Sequence, residues 1–250
     1  MSGEAWRHGQ LTCTADCAYP VAVVHLAGRL KCDGIPEVRT AVLGCLAVEP
    51  DIVVLDVAGL IVAGDGSVAV FADLARQAAT WPGSAFAFAA ASATLVEAVR
   101  RRGGDLPSHP TVAAARDHGD SRPARYRLRE ALPASPIAAP VARQLLGRAC
   151  RSWAVADLLE SAELVASELV ANAVRHAAGP VVLTVSLHQG HLQISVGDES
   201  PALPHLYPAS ATDEHGRGLL MIEALCADWG TTSVGAGKIV WAKVAAAGPR

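Results

Sequence analysis

The chain is poor in aromatic residues and in charge: Phe, Trp and Tyr make up 4% of its 250 residues, and Asp, Glu, Lys and Arg 18%. A core must therefore come from small and branched aliphatic side chains packed in regular segments. The 51% of hydrophobic residues, much of it Ala and Val, is enough for that. An excess of basic charge is also missing. With a formal net charge of −3, bulk electrostatics give no reason to expect direct nucleic-acid binding. The arginine groups (Arg100, Arg101 and Arg102; Arg122, Arg125, Arg127 and Arg129) are short and fit a solvated face or a linker. No apolar run approaches the ~20 residues that span a bilayer, so no membrane association is expected. The segment from Met1 to Gln10 is polar and lacks the apolar centre of a secretory leader, so a cytoplasmic location is expected. A cysteine framework is lacking as well. Cys13, Cys17, Cys32, Cys45, Cys150 and Cys226 are scattered, and no second Cys or His pair completes a zinc site around Cys13 and Cys17. They read as reduced, mostly buried small residues.

What is present is strand–helix alternation, which argues an α/β layer fold. Val21 to Leu26 is a β-branched run, and Pro36 to Val48 a helix with Pro in its first turn. Asp51 to Val57 is a strand of the kind buried on both faces. A helix from Asp65 to about Ala79, a strand Ala85 to Ala89 and a helix Ser92 to Arg102, stopped by Gly103-Gly104, follow. Gly103 to Pro123 is loop-like, with one short helical piece at Thr111 to Arg116. A domain boundary near Asp120 to Pro123 gives two domains, residues 1–120 and 121–250.

The second domain opens on an edge strand, Ala124 to Glu130. Helices Pro140 to Trp153 and about Ala156 to Ala178 come next, the latter halted by Gly179-Pro180. Val181 to His188 and His191 to Gly197 form a hairpin around Gln189-Gly190. A Pro-containing loop, Ser200 to His215, leads to Gly216-Arg217-Gly218, a helix Leu219 to Ala227 and a last strand, Lys238 to Val244.

Three segments of this domain carry chemistry when read together. On the long helix, Glu168, Asn172 and His176 recur every four residues and share a face, while Leu158, Val165, Leu169 and Ala173 form an apolar face toward the sheet. An Asn carbonyl oxygen is a hard neutral ligand suited to Mg²⁺ beside phosphates. A carboxylate one turn earlier can deprotonate or orient a hydroxyl nucleophile. Alone, the segment fits a polar helix face in water equally well. At the end of a strand, Asp198 can accept a hydrogen bond from an amino group such as adenine N6, or it is simply a turn residue. Gly216-Arg217-Gly218 before a helix lets backbone N–H groups approach phosphates; its plain alternative is a helix entry.

In this order the segments resemble the nucleotide-binding boxes of the GHKL (gyrase, Hsp90, histidine-kinase, MutL) ATPases. ELVANAVRH is similar to the N box, VGDESP to the G1 box and HGRGLLMIEALCADWG to the G2 region, and the trailing GKIVWAKV resembles the last strand of bacterial anti-sigma-factor serine kinases. The resemblance implies a Bergerat α/β sandwich with a mixed sheet, and ATP and Mg²⁺ as ligands. Asn172 would hold Mg²⁺, and Glu168 would act as general base. Asp198 would bind the adenine amino group, Gly216, Arg217 and Gly218 would contact the phosphates, and Ser200 to His215 would be the lid. Arg175 and His176 would approach phosphates or pack as helix-end cations. Ser200 and Ala202 stand where the family usually has glycines after the G1 Asp.

In the first domain, VAVVHLAGRLKCDG followed by DIVVLDVAGLIVAGDGSVAVF resembles a STAS domain, the fold of anti-sigma-factor antagonists, over about Val21 to Asp117. Where active antagonists carry their phosphorylated serine, this chain has Asp65 or Gly66, so the phosphosite is expected to be lost and the domain to act in docking. Asp65 or Ser67 is expected to cap the following helix. The implied function is an ATP-binding anti-sigma factor that phosphorylates a serine or threonine on an antagonist protein. Its expected partners are a sigma factor or a STAS antagonist, and a homodimer is possible. The alternative is a non-catalytic, nucleotide-responsive module controlling transcription by partner switching.

Overall fold

Short β-branched runs and helix-period segments alternate through the first half of the chain, two helices followed by strands make up most of the second, and each half forms its own sheet. The structure, a computed structural model, describes residues 4–8, 10–81, 84–120, 126–176, 179–188, 190–200, 222–234 and 237–245. The chain divides into two compact units, Met1–Arg125 and Tyr126–Arg250. Among the described residues no helix is long and apolar enough to cross a membrane. Both units are α/β.

The first unit orders six strands β1-β2-β3-β4-β5-β6: β1 Glu4–His8, β2 Leu11–Asp16, β3 Val21–Leu30, β4 Ile52–Val62, β5 Ala85–Ala89 and β6 Ser108–His109. The first three pair antiparallel and the last four parallel. The parallel strands are joined by helices α1 Ile35–Ala47, α2 Asp65–Ala78 and α3 Ala93–Arg100, and α4 Val112–Asp120 follows β6. Successive side chains of β5 serve opposite faces. Ala87 and Ala89 pack with Ala115 of α4, while Phe88 meets Phe71 of α2 edge-on at 5.4 Å between ring centroids. Ser92 caps α3 by accepting from Leu95 N at 3.2 Å, and Gly103, at φ 76°, turns the chain out of it.

The expectations for this unit hold for α1, α2, α3 and β5 within a few residues. They omit β1 and β2, because the polar start of the chain hides a strand pair. β4 also runs five residues beyond Val57, to Val62.

The second unit orders five strands β10-β11-β9-β8-β7: β7 Arg127–Leu132, β8 Val181–His188, β9 His191–Asp198, β10 Cys226–Val234 and β11 Gly237–Ala245. Among the described residues all four pairings are antiparallel, not the mixed sheet that the resemblance implies. Helices α5 Ala138–Ser152 and α6 Leu159–His176, the latter entered through a 3₁₀ turn at Ala156–Leu158, cover one face. Leu183 and Val185 of β8, Leu192, Ile194 and Val196 of β9, and Val240, Ala242 and Val244 of β11 meet Val165, Leu169 and Ala173 of α6 in one core. Gln193 and Ser195 take the alternate positions of β9, on the other side of the sheet, where they are buried in a row with Thr184 and Ser186 of β8 and beside Trp241 of β11.

The helix expected at Leu219 to Ala227 ends earlier. Residues 222–225 are helical and β10 begins at Cys226. Thr231, Thr232 and Val234 favour an extended chain, and β10 pairs with β11 through Val234 and Gly237.

Candidate functional site

The long helix places its polar residues as the four-residue spacing requires. Leu158, Val165, Leu169 and Ala173 are buried against the sheet, and Glu168 and Asn172 are half-buried along the neighbouring row. Arg175 and His176, in the last turn, are exposed. The chain then turns through Gly179-Pro180 into β8, and β8 pairs Val182 with Gly197 of β9. The C-terminal ends of α6 and β9 therefore lie at the same end of the layer pair. Gly179 carries the same message: a Cβ there would stand 3.0 Å from the Glu199 carboxylate. Asn172 and Asp198 thus belong to one end of the fold.

Asp198 is the last residue of β9 and continues the helix-facing row of Leu192, Ile194 and Val196. Its side chain is 0% exposed, so its charge must be met from within the protein. Lys238, directly opposite on β11 and 1% exposed at its side chain, donates from Nζ to Asp198 Oδ1 at 2.9 Å. The Ser200 backbone N–H donates to the same oxygen at 2.8 Å, closing an Asx turn. Lys238 Nζ also donates to the Ser200 carbonyl oxygen at 3.3 Å. All these bonds converge on one side of the carboxylate. The second oxygen, Oδ2, is buried and has no hydrogen-bond partner. An acceptor left in this state costs about 1–3 kcal/mol, a penalty that an arriving N–H donor relieves. The amino group of a purine is such a donor, so the residue fits the role expected of it. Asn172, with its neutral amide oxygen, fits a Mg²⁺ ligand in its chemistry.

Sequence reasoning missed Lys238. A lysine at the start of a strand reads as solvated, and only the β9–β11 register shows that it is buried opposite Asp198. Gly237 is part of the same construction, since a Cβ there would overlap the Asp198 carbonyl oxygen. Gly216, Arg217 and Gly218, and the segment 201–215 with Ala202, lie outside the described residues. Among the described residues, cavities open elsewhere. One, of about 540 Å³, is lined by Arg143, Arg148, Arg151 and Glu163 on α5 and α6. Another, of about 440 Å³, lies in the first unit beside Gly64, Ser92 and Arg101. Neither is lined by Glu168, Asn172 or Asp198.

In the first unit the cap expected from Ser67 is not what α2 uses, and the side chain of Asp65, the other expected cap, lies outside the described residues. The N-cap position of α2 is Gly64, at φ 95°, with no side-chain cap. Ser67 is fully buried, and its hydroxyl has no partner. The backbone bends at a position that suits glycine, and the helix enters the core within its first turn.

The model of the histidine kinase-like ATPase domain family matches residues 132–244. An uncharacterized protein of Streptomyces coelicolor is 44% identical over 57 residues, which are 22% of this chain and 53% of that protein, so the match spans about half of the relative. Among solved structures, an anti-sigma factor antagonist from Mycobacterium paratuberculosis is similar at 16% identity and a TM-score of 0.37, covering 44% of this chain and 94% of that one. The RsbU and RsbW domains of a Mycobacterium tuberculosis protein are similar at 16% identity and a TM-score of 0.38, covering 84% of this chain and 46% of that one. Both structural likenesses are loose, and the assignment rests on the family model. Residues 132–244, which include α5, α6 and the Asp198 strand, are similar to the histidine kinase-like ATPase domain family.

Proposed function

We propose that the second unit binds Mg²⁺·ATP and that the chain is an anti-sigma-type regulator transferring the γ-phosphoryl group to a serine or threonine of a separate antagonist protein. The observation that carries this reading is the buried Asp198 carboxylate. One of its oxygens is saturated and the other lacks a donor, at the end of the fold where α6 brings Asn172. Asn172 holds Mg²⁺, which neutralises charge on the phosphates. Glu168, one turn earlier, accepts the proton of the attacking hydroxyl as its oxygen bonds to phosphorus and the bond to the leaving ADP breaks. In phosphoryl transfer the protein contributes mostly position and electrostatics, so a few side chains suffice. Gly216, Arg217 and Gly218 supply the phosphate-binding backbone. A sigma factor and the antagonist compete for the chain, which works in the cytoplasm, and the first unit serves as a docking module.

The test is calorimetric titration of the full chain with ATP, with and without Mg²⁺, followed by phosphate transfer from radiolabelled ATP to candidate antagonists. Mg²⁺-dependent binding with transfer supports the kinase. Binding without transfer to any antagonist that the chain captures moves the reading to a nucleotide-responsive switch. Absence of nucleotide binding removes both.

A further inference from the structure

Lys238 is a fully buried ammonium whose three protons are not all spent. One goes to Asp198 Oδ1 at 2.9 Å and one to the Ser200 carbonyl oxygen at 3.3 Å. An ammonium has three donors and no acceptor, which leaves one. Next to it, Asp198 Oδ2 is an acceptor without a donor. The pair therefore keeps one unspent donor and one unspent acceptor, on two adjacent strands and out of water. This pattern complements a 6-aminopurine, whose exocyclic amino group donates and whose ring N1 accepts. It opposes a 6-oxopurine, in which O6 accepts and N1 carries a proton.

We propose that Lys238 is a specificity-determining residue of the nucleotide site. Its remaining proton is donated to purine N1 while Asp198 Oδ2 accepts from the 6-amino group, so an acid–base pair reads the base at two points. The inference rests on the reading that the second unit binds ATP, and it adds a direct cationic donor to the carboxylate. The same ammonium keeps Oδ1 occupied, which aims the carboxylate's free capacity at the amino group. The main chain fixes the arrangement: Gly237 lets β11 approach β9 at Asp198, and the register sets Lys238 opposite it.

The experiment compares ATP with inosine triphosphate, which differs at the reading edge, by calorimetry on the full chain and on Lys238→Met. The wild type is expected to prefer ATP by at least about ten-fold, because a site built around hydrogen bonds rejects an analogue that leaves them unmet. Lys238→Met is expected to lower that preference at least about three-fold, Asp198 still accepting from the 6-amino group, while Asn172→Ala weakens both ligands alike. A Met variant that keeps the full preference overturns the role of Lys238 and leaves the ATP reading standing. So does a wild type that binds both nucleotides equally. A wild type that binds neither ends the ATP reading and this inference with it. Should the Met variant not fold, ¹⁵N-lysine spectra of the wild type decide, with the Lys238 signal identified by its loss in Lys238→Arg. That signal is expected to shift with ATP and with adenosine but not with inorganic tripolyphosphate. A signal that ignores adenosine overturns the proposal.

Discussion

Gly237 runs so close to the carbonyl of Asp198 that no Cβ fits between them. The two strands can meet there only because residue 237 has no side chain, and the contact sets the neighbouring Lys238 against the Asp198 carboxylate. Gly237→Ala is expected to push β11 away from β9 and to cost about 1–3 kcal/mol, the usual cost of overpacking. Urea unfolding followed by tryptophan fluorescence checks this. An unchanged midpoint would mean that the close approach is not needed.

The buried pair itself gives a second prediction. Lys238→Met leaves the Asp198 carboxylate buried without its counter-charge and should destabilise the second unit by about 3–5 kcal/mol. Replacing both groups, as Asp198→Leu with Lys238→Met, should recover most of that loss, since an apolar pair of similar volume avoids desolvating two ions. The double variant should nevertheless lose ATP binding. Chemical denaturation of the two variants separates the outcomes, and a double variant less stable than the single would be inconsistent with this ledger.

Ser67 supplies a third. Its hydroxyl is buried and without a partner in the first turn of α2. Ser67→Ala removes an unsatisfied polar group and is expected to stabilise the first unit by about 1 kcal/mol. Incubation of the full chain with Mg²⁺ and ATP should leave no phosphate on Ser67 in a mass-spectrometric peptide map. Phosphate at that position would contradict its burial and the docking role.

The thiols predict a pH dependence. Burial first, then the nearby Glu37 and Cys17, pushes Cys13 up to about 12 from the usual value near 9. Cys45 is raised as well, chiefly by its hydrogen bond with Cys17 and then by burial, the two sulfur atoms lying 2.7 Å apart. Between pH 9 and about 12 the folded Cys13 keeps a proton that the unfolded chain has released. The unfolded state then binds fewer protons, and stability falls as pH rises through this window. Cys13→Ala should flatten the fall in urea midpoint by up to about 1 kcal/mol per pH unit. At pH 8, a maleimide should label the exposed Cys32 before the buried Cys13 and Cys45.

Much of the fold was legible because this composition leaves few options. With aromatics scarce, apolar runs such as Ala85–Ala89 and Asp51 to Val57 mark strands directly, and Gly103 marks a helix end by its backbone freedom. β2 was missed although Leu11, Cys13 and Ala15 alternate with Thr12, Thr14 and Asp16 in the simple period of a half-buried strand. Small polar residues there dilute the hydrophobic signal. β10 was missed for a similar reason, since Cys226–Val234 mixes Gly, Asp, Ser and Thr and takes its conformation from pairing with β11. In the candidate site, Glu168, Asn172 and Asp198 stand out only when their segments are read together and in order, since each alone also fits a polar helix face or a turn. Lys238 is set by the register between strands 40 residues apart in sequence, which no local pattern carries.

Glu168 and Asn172 share one helix row but are assigned different tasks, and a pair of variants separates them. Asn172→Ala should lose Mg²⁺-dependent ATP binding. Glu168→Ala should bind ATP within about three-fold of the wild type and lose phosphate transfer by at least 10²-fold, the usual share of a general base. Transfer at the wild-type rate by the Glu168 variant would remove it from the chemistry.

The most direct measurement is the heat of ATP binding to the full chain with Mg²⁺, compared between the wild type and Asp198→Asn. Saturable binding by the wild type, weakened at least about ten-fold in the variant, is the predicted result, because the amide exchanges the free carboxylate charge for a neutral group. Equal affinity in the two proteins, or no binding by the wild type, would contradict the assignment of Asp198 as the residue that receives the purine.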